Sequence, residues 1–188
     1  MTETPNPNIV DADTITGEMH PIRRVVLSLG SNLGSRTDNL QGAVNSLADT
    51  PDVWVTAVSP VYETQPVDAP PGSGPFLNAV VLADTTLSAR TLLDRCLAVE
   101  DAFGRERVEA NGPRTLDVDL IVVGDRRSAT DELTLPHPKA AERAFVLKPW
   151  FDLEPDAELL DAGPISELLA KIGVDGLTLK EDIELTLQ

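Results

Sequence analysis

Hydrophobic positions change period several times along this chain, and the changes mark its elements. Arg24-Val25-Val26-Leu27-Ser28-Leu29 is a short β-branched run that predicts a strand. Gly30-Ser31-Asn32-Leu33-Gly34 breaks it, and Leu40, Val44 and Leu47 then recur at helical spacing, predicting a helix over 37–48. Ser35 or Thr37 is placed to cap its free N–H groups. Between 53 and 64, Val53, Val55 and Ala57 alternate with Trp54, Thr56 and Val58, which predicts a second strand. The stretch 66–75 holds prolines and glycines that exclude both strand and helix, so it is a long loop of the kind that often carries function. A third strand follows over 76–83. Ala89, Leu92, Cys96, Val99 and Phe103 form one apolar stripe in a helix over 88–103, with Gly104 placed to stop it. The polar stretch 105–113 has no period and is a second long loop. A fourth strand spans 115–123, ended by Gly124-Asp125, and one further helix falls around 165–171.

The order strand, helix, strand, strand, helix, strand predicts an α+β fold: a ferredoxin-like βαββαβ sheet with helices on one face, plus C-terminal additions. Residues 1–21 are expected to be a flexible tail, 22–172 the domain, and 173–188 a weakly patterned C-terminal extension.

Composition narrows the function. With 188 residues, 41% of them hydrophobic, the chain can bury one ordinary core. The single cysteine, Cys96, excludes an internal disulfide and a multi-cysteine zinc site. No apolar run is long enough to span a bilayer, and residues 1–20 lack the basic start and apolar stretch of a secretory signal. A cytoplasmic protein is therefore expected. A net charge of −16 argues against nucleic acid as a partner. It leaves room for a small phosphorylated ligand, because 8 of the 15 Lys and Arg residues fall between Arg105 and Lys148.

That same segment carries the sharpest chemical pattern. In Leu116-Asp117-Val118-Asp119-Leu120 the side chains of a strand alternate, so the three apolar residues can enter the core while Asp117 and Asp119 share the other face. Two neighbouring carboxylates repel each other, and a bound cation removes the penalty. Hard oxygen ligands suit magnesium, which completes its shell with water and substrate phosphates. A solvated strand face bearing two acids is the other reading of the spacing. Arg105 and Arg107 lie upstream and Gly112-Pro113-Arg114-Thr115 leads into the pair, an anion-neutralising set suited to phosphoryl transfer. His137 sits beside Lys139 and Arg143, where a phosphate contact is chemically reasonable. Phe76 and Asn78 share a strand face, and an aromatic with an amide can stack on and hydrogen-bond a flat heterocycle. Gly30-Ser31-Asn32-Leu33-Gly34 is a weak phosphate cradle without the lysine of a P-loop.

Taken together, Leu29-Gly30-Ser31-Asn32-Leu33-Gly34, Ser59-Pro60-Val61-Tyr62-Glu63-Thr64, Phe76-Leu77-Asn78-Ala79, Gly104-Arg105, the string from Gly112 to Leu120 and Leu135-Pro136-His137 resemble the 6-hydroxymethyl-7,8-dihydropterin pyrophosphokinase family. The resemblance covers about residues 25–160. It implies transfer of pyrophosphate from ATP to the pterin hydroxymethyl group, giving AMP, in folate biosynthesis. It implies that Asp117 and Asp119 bind two magnesium ions, and that Arg105 and Arg114 act with them in catalysis. It implies nucleotide contacts for Glu100, Arg105, Arg107, Arg114, Leu120, Thr134, His137 and Arg143. It implies a pterin site of Thr64, Gln65, Val67, Phe76, Asn78 and Phe145, the two rings forming a sandwich. The loops 65–75 and 105–113 match loops that close over the substrates. The chain departs from the family in having Asn111 where a tryptophan is usual. Its expected partners are ATP and the pterin, with no nucleic acid and no membrane, and a monomer is expected. A ligand-binding regulatory domain and a magnesium-dependent nucleotidyltransferase are the alternative readings; they predict binding without AMP, and pyrophosphate release, respectively.

Overall fold

The structure, a computed structural model, describes residues 21–66, 70–104 and 115–188. Its elements, in chain order, begin with β1 (Arg23–Ser31), α1 (Arg36–Ala48), β2 (Val53–Val58), β3 (Tyr62–Thr64), β4 (Phe76–Thr85), α2 (Ala89–Ala102) and β5 (Asp117–Val123). The remainder holds β6 (Ser128–Ala129), β7 (Thr134–Leu135), a 3-10 turn (Ala140–Glu142), α3 (Ala144–Leu153), β8 (Glu158–Leu159), β9 (Gly163–Pro164), α4 (Ile165–Ile172) and β10 (Leu177–Leu179).

The main sheet runs β10-β3-β4-β1-β5, with β2 also paired to β4, and every pairing is antiparallel. The strand expected over 53–64 is two strands. Ser59-Pro60-Val61 interrupts it, since Pro60 has no N–H to give the ladder. Ser59 repairs the gap: its Oγ accepts from Val80 N at 2.7 Å and its N donates to Val80 O at 2.9 Å. β2 and β3 thus line the same edge of β4.

Alternation along the strands builds two cores. Leu27, Leu29, Leu77, Ala79, Val81, Val118 and Leu120 face α1 and α2, meeting Leu40, Val44, Leu47, Leu92, Cys96 and Val99. Gly42 lets these helices approach closely; a Cβ there would lie 2.3 Å from Cζ of Phe103. Ser88 caps α2, its Oγ accepting from Thr91 N at 3.1 Å. Ser35 stands at the N-cap of α1 without a side-chain cap bond; its hydroxyl donates to Asp38 instead.

Helices on one face describes only α1 and α2. The opposite face is covered by α3 and α4, where Val146, Leu147, Trp150, Ile165 and Leu169 pack on Val26, Val80, Leu82 and Ile121. α3 escaped the sequence pattern because it is apolar around most of its surface and carries Pro149 in its interior. The weakly patterned segment beyond residue 172 contributes a strand: β10 pairs with β3, Lys180 N donates to Val61 O at 2.9 Å, and Leu185 is buried in the first core. Among the described residues, no helix is long and apolar enough to cross a membrane.

Candidate functional site

On the α3–α4 side of the sheet the apolar positions stop part of the way along the strands. Past Val26, Val80 and Ile121, the same face presents Ser28 and Gly30 on β1, Asn78 and Phe76 on β4, and Asp119 and Asp117 on β5. The antiparallel register sets them in rows, with Gly30 paired to both Asn78 and Asp117, and Ser28 to Asp119. These residues floor a cavity of about 550 Å³. Thr64, Gln65 and Pro66 wall one end, and Lys139, Glu142, Arg143, Ala144 and Phe145 come from the 3-10 turn and the start of α3. Asp175, Gly176 and Leu177 complete the rim. That volume suits a small-molecule ligand.

Gly30 serves the site by having no side chain. A Cβ at this position would sit 3.4 Å from Asn78 Oδ1, 3.7 Å from Phe76 Cδ1 and 4.0 Å from Asp117 Cβ. Gly30 therefore keeps open the space between Asn78 and Phe76, a role visible only once strand register is known. Asn78 is buried, and its amide is oriented by donating to Thr64 Oγ1 at 2.9 Å.

Asp117 and Asp119 occupy alternate positions of β5 and both line the cavity, as the strand period predicts. Arg143 Nη1 stands 3.9 Å from Asp119 Oδ2, and its guanidinium lies 5.5 Å from the centroid of the Phe145 ring. One arginine thereby joins the acid pair to the aromatic wall. Two carboxylates lining one cavity are a donor set that fits magnesium, which takes one or two protein carboxylates and fills its shell from water and phosphate.

The predicted pterin residues Thr64, Gln65, Phe76, Asn78 and Phe145 are brought together with Asp117, Asp119 and Arg143 in this one cavity. Val67, Arg105, Arg107 and Arg114, and likewise Asn111, lie outside the described residues. The remaining nucleotide candidates do not line the cavity. Leu120 points into the core, leaving only its main chain for a ligand. Thr134 is exposed on β7.

Glu100 is buried, and its Oε1 accepts from Val118 N at 3.0 Å, between the two aspartates. It anchors β5 and so holds the acid pair. Glu100→Ala is expected to lower unfolding free energy by about 1–3 kcal/mol, the cost of leaving a buried donor without its acceptor. Chemical denaturation measures this, and an unchanged midpoint would contradict the anchoring role.

His137 is fastened by its main chain, N donating to Ile121 O at 2.8 Å, while its Nδ1 accepts from Lys139 N at 3.2 Å. Burial, then the charges of Arg143 and Lys139, pushes the imidazole down to about 4 from 6.5. The ring is neutral at neutral pH. Since the folded value is depressed, the stability tied to the neutral ring is complete above pH 6.5 and is lost as pH falls toward about 4. An NMR titration of the ring should give a midpoint near 4; one near 6.5 would contradict this environment.

Fold and cavity together define a class: a mixed α/β protein with an antiparallel sheet and a cleft, partly apolar and carrying two carboxylates, of the size that small-molecule enzymes carry. The family model for 7,8-dihydro-6-hydroxymethylpterin-pyrophosphokinase (HPPK) matches residues 26–155, and the chain belongs to this family. It is 38% identical to the 2-amino-4-hydroxy-6-hydroxymethyldihydropteridine pyrophosphokinase of Pseudomonas aeruginosa, over 83% of this chain and 96% of that relative. It is 44% identical to the protein of the same description from Mycobacterium tuberculosis, over 79% of this chain and 84% of the relative. Among solved structures, a Plasmodium falciparum HPPK-DHPS variant with SDX-DHP aligns with a TM-score of 0.66 at 14% identity, covering 86% of this chain. The present chain spans 49% of that longer one, so the likeness bears on the fold alone. The wild-type Plasmodium falciparum HPPK-DHPS with pterin and p-hydroxybenzoate gives 0.64 at 14% identity, covering 85% of this chain and 45% of that one.

Proposed function

We propose that the chain transfers the β,γ-pyrophosphoryl group of ATP to the hydroxymethyl oxygen of 6-hydroxymethyl-7,8-dihydropterin, giving AMP and the pterin diphosphate in folate biosynthesis. The observation that carries this reading is the single cavity in which Phe76, Asn78 and Phe145 lie beside Asp117, Asp119 and Arg143. The two rings stack on the pterin, and the buried Asn78 amide reads its hydrogen-bonding edge. The hydroxymethyl group then points toward the acid pair.

In the reaction the hydroxymethyl oxygen bonds to the β-phosphorus, the bond from that phosphorus to the oxygen bridging it to the α-phosphorus breaks, and AMP leaves with that oxygen. The hydroxyl proton is released. Little covalent chemistry falls to the protein, so positioning and charge stabilisation dominate. Asp117 and Asp119 would hold magnesium, which when bound supplies neutralisation of the triphosphate charge. Arg143 adds positive charge on the rim, and Arg105, Arg107 and Arg114 are assigned to the phosphates as well. His137, Thr134, Glu100 and the main chain of Leu120 belong to the nucleotide side; Val67 and Gln65 complete the pterin side.

The antiparallel order of β5, β1, β4 and β2 supports a ferredoxin-like core. A cytoplasmic monomer is part of this reading, and the net charge of −16 disfavours nucleic acid as a partner. Chromatographic separation of the nucleotide products is the test: AMP is expected, whereas pyrophosphate would indicate nucleotidyl transfer and binding without turnover a regulatory domain. Chelation should abolish AMP formation and added magnesium restore it; full activity in excess chelator would contradict the metal assignment.

A further inference from the structure

The rim formed by Asp175, Gly176 and Leu177 belongs to a part of the chain beyond residues 26–155, the span matched by the family model. It is built into the fold at several points. Leu177 pairs with Thr64, Thr178 with Glu63 and Leu179 with Tyr62, so β10 forms the sheet edge next to the cavity. Lys180 N donates to Val61 O at 2.9 Å. The chain then crosses that edge to the other face, where Leu185 is buried. There Thr186 N donates to Gln41 Oε1 at 2.9 Å, and Gln41 Nε2 donates to Thr186 O at 2.9 Å. Residues 173–188 are thus a strap tied to α1 on one side and bordering the cavity on the other.

The cavity has a direction. Asp117 and Asp119 lie on β5, Gly30 on β1, Asn78 on β4, Thr64 on β3 and Leu177 on β10, in the order of the sheet. A substrate whose hydroxymethyl group faces the aspartates sends its opposite end toward Thr64 and the strap. In a 2-amino-4-hydroxy-pteridine that end carries the amino group, an N–H donor. The charged residue the strap brings to this end is Asp175, and an ionised carboxylate is an acceptor only.

We propose that the strap completes the ring site and that Asp175 accepts a hydrogen bond from the 2-amino end of the ring, making it a specificity-determining residue. This rests on the pyrophosphokinase reading above. Asp175 is exposed at the tip between α4 and β10, so its replacement leaves the fold unchanged.

The test uses the full chain. Asp175→Ala and Asp175→Asn are compared with wild type for KM of the pterin, KM of ATP and kcat. The expected result is a rise in pterin KM of roughly tenfold for Asp175→Ala, the scale of a charge-assisted hydrogen bond shared with solvent, with ATP KM unchanged. Wild type should also prefer the 2-amino ring over an analogue lacking that group, and Asp175→Ala should lose most of the preference. Equal pterin KM and equal preference in wild type and Asp175→Ala would overturn the proposal while leaving the pyrophosphokinase reading intact. Failure of wild type to form AMP would instead remove that reading. Asp175→Glu keeps the acceptor and should retain the preference, which separates hydrogen bonding from a merely structural effect of the tip.

Discussion

Asp117→Ala and Asp119→Ala each lower the rate of AMP formation by at least about 10³-fold while leaving the fold intact. The size follows from where the charge sits. Phosphoryl-group transfer relies on charges already in place around the triphosphate, and removing one preorganised electrostatic partner costs about 10²–10³ in rate. A carboxylate that also holds a metal removes the cation with it, which adds to the loss. Stability should change little, because deleting either acid relieves like-charge repulsion on one strand face, which offsets, at Asp119, the loss of the long 3.9 Å ion pair with Arg143. Steady-state kinetics with thermal melting of both variants checks this. Retained turnover in either variant would remove that residue from the metal site; lost folding in both would make the pair structural.

Gly30→Val raises the pterin KM by about 10–100-fold, the equivalent of an overpacking cost of ~1–3 kcal/mol, with little change in ATP binding. The added Cβ would stand 3.4 Å from Asn78 Oδ1 and 3.7 Å from Phe76 Cδ1, and the branch methyls would enter the space a ring needs. Gly30→Ala is the milder control and should give an intermediate KM. Titration calorimetry with the pterin and, separately, with ATP distinguishes the two ends of the cavity. Equal loss of both ligands would mean that Gly30 supports the whole sheet rather than the ring slot.

These predictions draw on features of unequal visibility in the sequence. Asp117 and Asp119 were legible because period-two alternation depends only on local backbone geometry, and their flanking apolar residues do enter the core. The pairing of Phe76 with Asn78 was legible for the same reason. The helical stripe from Ala89 to Val99 and the helix at 165–172 likewise follow local periods. The place of Gly30 on the cavity floor beside Asn78 and Phe76 was not legible, since it depends on which strands pair and in what register. Nor was the break at Ser59, where the side-chain Oγ takes the place of a main-chain carbonyl as acceptor for Val80 N. α3 was hidden because burial on several sides erases the amphipathic period, and with it went the reason Arg143 and Phe145 reach the cavity: both stand at the helix start. The place of Asp175 on the cavity rim emerges only when the strap is traced from β10 across the sheet edge.

The family resemblance supplied residue roles that local patterns could not. Glu100, which the resemblance matches to the nucleotide side, is in this fold a buried acceptor for the main chain between the aspartates. It would act on the nucleotide through the placement of β5. His137 is similar, since its main-chain bond to Ile121 holds it beside the same strand, at the bulge where β1 and β5 change register.

In the proposed reaction, one cavity joins a flat-ring site to an acid pair for transfer of two phosphoryl groups as a unit. The most direct measurement is 31P NMR of wild-type protein with ATP, magnesium and 6-hydroxymethyl-7,8-dihydropterin. AMP and a pterin diphosphate should appear in equal amounts, with the β and γ phosphorus atoms of ATP both recovered on the pterin. ADP with a pterin monophosphate, or free pyrophosphate with AMP joined to the ring, would contradict the proposed reaction.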